Sequence, residues 1–202
     1  LITMGDLRGY ETMKMDVVRG TYRGFDIIGP PPPTAGGAHI IEMLNILEDF
    51  DVAALGFGSS ARVHLLAEVI KIGFEDRRKS MGDPNFIDVP VEMLISKDFA
   101  GERRLQINLQ QAQSIETAYQ AESDCTTHMA AADAMGNVIS ATHTIHSAFG
   151  SKATVPGTGM LLNNTMNIFD PHPGMANSIA PGKRVTSSMS PIIVEKDGKP
   201  AF

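Results

Sequence analysis

"DCTTHMAAAD", residues 124–133, is the stretch on which the reading of this chain turns. A lone cysteine precedes two threonines, a histidine and a run of small residues. β-branched side chains fit a pleated surface, so the plainer reading makes Thr126 and Thr127 ordinary strand residues. The sharper reading makes Thr126 a nucleophile. A threonine hydroxyl reacts only when a base removes its proton, and a free α-amine on the same residue, with a pKa of about 8, is such a base. That requires the chain to be cut between Cys125 and Thr126. The preceding run, 106–123, is rich in Gln, Ser and Glu, and we expect it to be exposed and mobile.

Working outward, residues 127–134 and 138–146 are rich in β-branched and small residues and read as two strands around a "MGN" turn at 135–137. "GMLLN", 159–163, reads as a short strand, and the Asn-, Pro- and Gly-dense 163–183 as a long loop. "PIIVEKDGK", 191–199, reads as a strand entering an Asp-Gly turn. On the other side, 16–28 reads as short strands around Gly20 and Gly24. "GPPPPTAGG", 29–37, is a rigid entry to a helix over 38–49, whose apolar stripe is Ile40, Ile41, Met43, Leu44 and Leu47. A second helix spans 60–79, capped by Ser59 or Ser60, with Val63, Leu66, Ile70 and Phe74 as its buried side and "GDP" at 82–84 as its stop. A shorter helix is expected near 91–99. Helices followed by a linker and then strands suggest a layered α+β fold.

Composition sets the outer limits. The 202 residues are 43% hydrophobic and 20% charged, ordinary for a globular chain with a sizeable core. The net charge of −6 argues against a nucleic-acid partner, and we read Arg77-Arg78-Lys79 as a solvated helix end. No run reaches the roughly 20 apolar residues of a membrane span. With one cysteine, no intrachain disulfide can form. The first residue is not Met and the last follow an expected strand and turn, so we expect both ends to continue in a longer protein.

Two further clusters carry chemistry. "TSSMSP", 186–191, places Ser187 and Ser188 at the end of a loop, where hydroxyls and backbone N–H groups can hold a carboxylate or an oxyanion. "LLNN", 161–164, ends in two amides. Both are equally ordinary turn chemistry. His128, His143 and His146 are numerous enough for zinc, but residues three apart in a regular strand face opposite sides, so we expect no metal and no cofactor.

At these residues the sequence resembles the γ-glutamyltranspeptidase family of N-terminal nucleophile hydrolases. "YRGFDIIGPPPPTAGGAHIIEMLNILEDFD" and "LGFGSSARVHLLAEVIKIGFEDRRKSMGDPNF" are similar to its large subunit, and "TTHMAAADAMGNVISATHTIHSAFGS", "GMLLNNTMNIF" and "GKRVTSSMSPIIVEKDGK" to its small subunit. The resemblance implies an αββα sandwich and autocatalytic cleavage between Cys125 and Thr126. Residues 1–125 then belong to a large-subunit region and 126–202 to a small-subunit region, paired as a heterodimer. Thr126 becomes nucleophile and its own amine the base, and Thr144 bonds the nucleophile. The acyl group of a small-molecule amide or γ-glutamyl substrate passes to water or an amine. Asn164 and the serine pair Ser187–Ser188 fall at substrate-binding positions, and the setting implied is periplasmic or secreted.

Three positions depart from the family pattern. His146 stands where the family has asparagine. Thr165 and Ile168 stand where γ-glutamyl enzymes carry a glutamine and the aspartate that grips the substrate ammonium. An apolar side chain there removes the counter-charge, so we expect a glutaryl-type acyl group without an α-amine. The same departures motivate the alternative, an unprocessed and inactive member serving as a binding or structural protein.

Overall fold

A computed structural model describes residues 3–114 and 125–201. After a single-turn-plus helix α1 (Met4–Arg8), strands β1 (Val18–Tyr22) and β2 (Phe25–Gly29) form a hairpin. Arg23 and Gly24 both take positive φ, 48° and 80°, the conformation that a two-residue hairpin turn needs. Helices α2 (Gly36–Leu47), α3 (Ser60–Ser80), α4 (Val91–Leu94) and α5 (Lys97–Arg104) follow. Then come the hairpin β3 (Thr126–Ala132) and β4 (Val138–Thr144), and the hairpin β5 (Ile193–Lys196) and β6 (Lys199–Pro200). The sheet order is β1-β2-β5-β6, antiparallel throughout, while β3 and β4 form a separate two-stranded sheet. Residues from before and after position 125 therefore meet at the β2–β5 seam.

Helix α2 is the centre of the molecule. It lies on β1 and β2 with Val18, Ile27 and Ile41 buried between them, and on its other side Ile46 and Leu47 pack with Leu65, Val69 and Ile72 of α3 and Ala100 of α5. A Cβ at Gly20 would sit 2.3 Å from Ile41 Cγ2, so glycine sets how closely helix and sheet approach. Being enclosed on several sides, α2 also buries His39, Glu42, Asn45 and Ile46, outside the expected stripe, whereas Ile40, Met43 and Leu44 are only half-buried.

The buried face of α3 differs from expectation. Its N-cap is Ser59, whose Oγ accepts from Arg62 N at 3.1 Å. Val63, Ile70 and Phe74 are 58%, 48% and 41% exposed, and the residues turned inward are Leu65, Glu68, Val69, Ile72, Gly73 and Asp76. Two acids and a glycine hide that face from a hydrophobicity pattern. They are tolerated because Asp76 is held by Arg103, and Glu68 accepts from Lys71 Nζ at 2.7 Å and Gln113 N at 3.1 Å. The expected helix near 91–99 is two helices, since Ser96 caps α5 by accepting from Phe99 N at 3.2 Å.

Of the polar run 106–123, the described part is largely exposed yet tied to α3, with His64 Nε2 2.8 Å from Asn108 O and Lys71 Nζ donating to Gln113 O at 3.1 Å. The remainder lies outside the described residues. "GMLLN" is not a strand. Gly157 and Gly159, at φ 79° and 70°, curl it into a loop that keeps one bridge, Thr154 to Leu161. Among the described residues, no helix is long and apolar enough to cross a membrane.

Candidate active site

The β3–β4 register places Thr126 directly opposite Thr144. Side chains of such a pair share a face, and the Thr126 hydroxyl donates to Thr144 Oγ1 at 3.1 Å. On the same face, His128 Nδ1 lies 2.8 Å from Thr142 Oγ1, which gives this histidine a structural partner. Cys125, immediately before the strand, is exposed. The turn is fixed by Asp133, whose carboxylate accepts from Met135 N, Asn137 N and Asn137 Nδ2 at 2.7–2.9 Å. Those bonds, led by the Asn137 side chain, hold its carboxyl below the usual range.

Strand β4 ends at Thr144, so the alternation expected to separate His143 from His146 does not extend to His146. His146 takes φ 76°, the left-handed region where Asn and His are tolerated better than most residues, and its N–H donates to Thr144 Oγ1 at 2.9 Å. Asn164 closes the same turn. Its Oδ1 accepts from Ser147 N at 2.9 Å, and its Nδ2 donates to Ser147 Oγ at 2.8 Å. Thr165 opens a 3₁₀ turn, Thr165–Ile168, with its N–H and hydroxyl both donating to Asn163 Oδ1.

Asn177 links this turn to the serine loop. Its Nδ2 donates to Ile168 O, and its Oδ1 accepts from Thr186 N, each at 3.0 Å. Ser187 bridges Thr34 in parallel, with Ala35 N donating to Ser187 O at 2.8 Å and Ser187 N to Pro33 O at 3.3 Å. Its hydroxyl accepts from Met189 N at 3.1 Å. A Cβ on Gly36 would stand 2.2 Å from Met189 O, so the start of α2 presses against this loop. Ser188 Oγ accepts from Arg77 Nη1 at 2.6 Å. The reading of 77–79 as a solvated helix end therefore holds for the exposed Arg78 and Lys79, while Arg77 turns inward.

Asp83 anchors the loop. Arg184 donates to it from N, Nε and Nη2, at 2.8, 3.1 and 2.6 Å. Burial alone would raise the Asp83 carboxyl, but the Arg184 and Asn85 hydrogen bonds and the Arg184 charge outweigh it and bring the pKa to about 2. Thr186 Oγ1 adds a bond to Met81 O at 3.2 Å. Asn177, Arg77, Asp83 and Arg184 were not singled out from the sequence for these roles. Asp83 entered only within "GDP", read as a helix stop, and Arg77 only within the run 77–79, read as a solvated helix end.

Behind the loop, His39 Nδ1 and Glu42 Oε2 lie 2.6 Å apart, both buried. Burial pushes the Glu42 carboxyl up to about 8, and burial together with the nearby Arg77 charge holds His39 at about 3. These shifts keep both groups uncharged at neutral pH.

The sequence profile described as Gamma-glutamyltranspeptidase matches residues 1–202. The chain is 54% identical over 203 residues to the "Acylase ACY 1 proenzyme" of Pseudomonas sp. (strain SE83), covering all of this chain and 36% of that protein. It is 39% identical to the "Glutathione hydrolase proenzyme" of Escherichia coli (strain K12), covering 98% of this chain and 37% of the relative. The crystal structure of cephalosporin acylase from Bacillus halodurans superposes with a TM-score of 0.84 at 30% identity, covering 98% of this chain and 35% of that one. The chain thus spans little more than a third of the length of the relatives it matches.

Proposed function

The chain belongs to the gamma-glutamyltranspeptidase family, and from that premise we propose that it is part of a self-processing acylase whose nucleophile is Thr126. The observation that carries this reading is the Thr126–Thr144 hydroxyl pair at 3.1 Å, at the first residue of a strand and next to the exposed Cys125.

In maturation, Thr126 Oγ attacks the Cys125 carbonyl carbon. The Oγ–C bond forms, the C–N bond breaks, and the hydroxyl proton ends on the departing nitrogen. Water hydrolyses the resulting ester, leaving a Cys125 carboxylate and a free α-amine on Thr126. That amine, with a pKa of about 8, then serves as base when Thr126 Oγ attacks a substrate amide. The acyl-enzyme passes its acyl group to water or an amine. Thr144, fixed by the His146 N–H, holds the nucleophile's hydroxyl.

Cleavage divides the chain into 1–125 and 126–202. The β2–β5 seam and the Asp83–Arg184 and Arg77–Ser188 contacts keep the two parts together as subunits. In the complete protein, the four-stranded sheet under α2 and the hairpin β3–β4 are the starts of the two sheets of an αββα sandwich. The exposure of β3 along its whole length supports this, because such a strand lacks its packing partner.

The preferred acyl group is dicarboxylic without an α-amine. Thr165 is occupied by Asn163, Ile168 offers no counter-charge to an ammonium, and two of the relatives bear acylase names. The inactive alternative finds no support among those relatives, which are named as enzymes or their proenzymes. Parallel hydrolysis of glutaryl and γ-glutamyl anilides by the full-length protein tests the reading. We expect two fragments on a denaturing gel, broken after residue 125, and faster turnover of the glutaryl anilide. A clear γ-glutamyl preference would refute the assignment drawn from Ile168.

A further inference from the structure

We propose that the outer face of α3 is an interface for an amphipathic helix with acidic flanks, supplied by the part of the same protein that lies outside residues 1–202. Val63, Ala67, Ile70 and Phe74 are all exposed and follow one another at intervals of four, three and four residues. Apolar residues at that spacing form an unbroken seam along one side of a helix, the side on which a second helix packs. The opposite side of α3 is apolar in its own right, with Leu65, Val69 and Ile72 in the core beside Ile46 and Leu47. A helix at a protein surface carries one apolar stripe, whereas a helix that is apolar on both sides is enclosed. The size of the relatives leaves room for a covering layer, since the chain matches 36% and 37% of two of them.

The charges beside the seam select the sign of the partner. Helix α3 carries five cations, Arg62, Lys71, Arg77, Arg78 and Lys79, against three acids. Two of those acids, Glu68 and Asp76, are buried, and Glu75 is engaged by Lys79. Arg62 and Arg78 stand beside the two ends of the seam. Arg62 lies over the Phe57 ring at 5.5 Å, and Arg78 acts on the Asp170 carboxylate through its charge. Among the described residues, neither forms an ion pair. A helix bringing Asp or Glu alongside them supplies the missing counter-charges. A second copy of α3 sets cation against cation, so charge selects a different helix.

The test uses the full-length protein with p-benzoylphenylalanine in place of Phe74, irradiated and mapped by peptide mass spectrometry. The expected cross-link joins α3 to a peptide outside residues 1–202 that has apolar residues at the same spacing and Asp or Glu beside them. A cross-link to residues within 1–202, or none, overturns the proposal. Ile70→Cys gives a second reading, with a maleimide expected to modify it about a hundredfold more slowly in the native protein than in urea. Should that variant fail to fold, Ala67→Cys reads the same protection. A native rate within about threefold of the rate in urea shows an open face and overturns the proposal. Arg62→Glu combined with Arg78→Glu should lower the melting temperature by about 2 °C or more at low salt, and by less in about 1 M salt. An unchanged or higher melting temperature overturns the acidic flanks. None of these outcomes depends on Thr126 being the nucleophile.

Discussion

The hairpin β3–β4 and the loop 183–190 carry the two halves of the candidate site, and they are held in place in opposite ways. The hairpin is regular, with a seven-residue register, yet β3 is exposed along its whole length and Met129 and Ile139 are each 58% exposed. Among the described residues its bonds are chiefly its own ladder and the Asp133 turn. The loop has no repeating backbone pattern, yet Thr186 is buried at 1% exposure and long-range bonds fix the loop at Pro33, Ala35, Arg77, Met81 and Asp83. Regular geometry and firm placement are thus separate properties. The proposed nucleophile rides on the first, and the serines proposed to bind the acyl group depend on the second.

The contrast breaks most sharply at Thr126. Thr126→Ala should abolish self-cleavage and lower hydrolysis by more than about a thousandfold, since nothing else can form the acyl-enzyme. A cleaved, active variant, seen on a denaturing gel and in the anilide assay, would sink the mechanism. On the loop side, Asp83→Ala leaves the half-buried Arg184 guanidinium without its carboxylate and should cost about 2 kcal/mol, measured by thermal or urea unfolding of the full-length protein. The Asp83 carboxyl titrates below its unfolded value of 3.8, so its contribution is complete above that pH. It should fade as pH falls toward about 2 and be absent in Asp83→Ala.

Glu42 has the opposite sign. Its folded pKa of about 8 exceeds the unfolded 4.5, so its burial costs nothing below pH 4.5 and progressively destabilises the fold as pH rises toward 8. Glu42→Gln should flatten the fall in melting temperature over that window. His39, held at about 3, acts at the other end, withdrawing stability as pH falls below 6.5, and should be unaffected by scanning from pH 7 to 8. A smaller effect is expected at Ile168→Asp, which places a carboxylate at the position where the γ-glutamyl pattern has one. The γ-glutamyl to glutaryl ratio of kcat/KM should rise by about tenfold. Smallest of all, Asp133→Ala should speed amide exchange at 133–137 while leaving the overall melting temperature nearly unchanged, because these residues are exposed and the bonds lost are local to the turn.

Local chemistry in the sequence predicted local structure well. Ser59 capped its helix, the Asp-Gly turn appeared at Asp197 and Gly198, and the small and β-branched runs around "MGN" became β3 and β4. The Thr126–Thr144 hydrogen bond, by contrast, is an expectation of the family resemblance alone, and the place of Asn164 beside the turn after β4 is visible only in the structure. Two kinds of feature stayed hidden. One is a buried face made of paired polar groups. Glu68, Gly73 and Asp76 of α3 gave no apolar stripe, so Val63, Ile70 and Phe74 stood out instead. The other is the polar side-chain contact between residues far apart in the chain. Arg77 reads as one of three surface cations until Ser188 lies beside it, and Asp83 reads as a helix stop until Arg184 does.

The β2–β5 seam has one more consequence. Within one chain, the two strands are tethered and their pairing is independent of dilution. Once the Cys125–Thr126 bond is cut, the same ladder joins two molecules, and mass action governs it. Maturation would then turn a concentration-independent fold into one whose melting temperature rises with protein concentration, held by three register pairs from Asp26↔Glu195 to Ile28↔Ile193 and by the clamps around the serine loop.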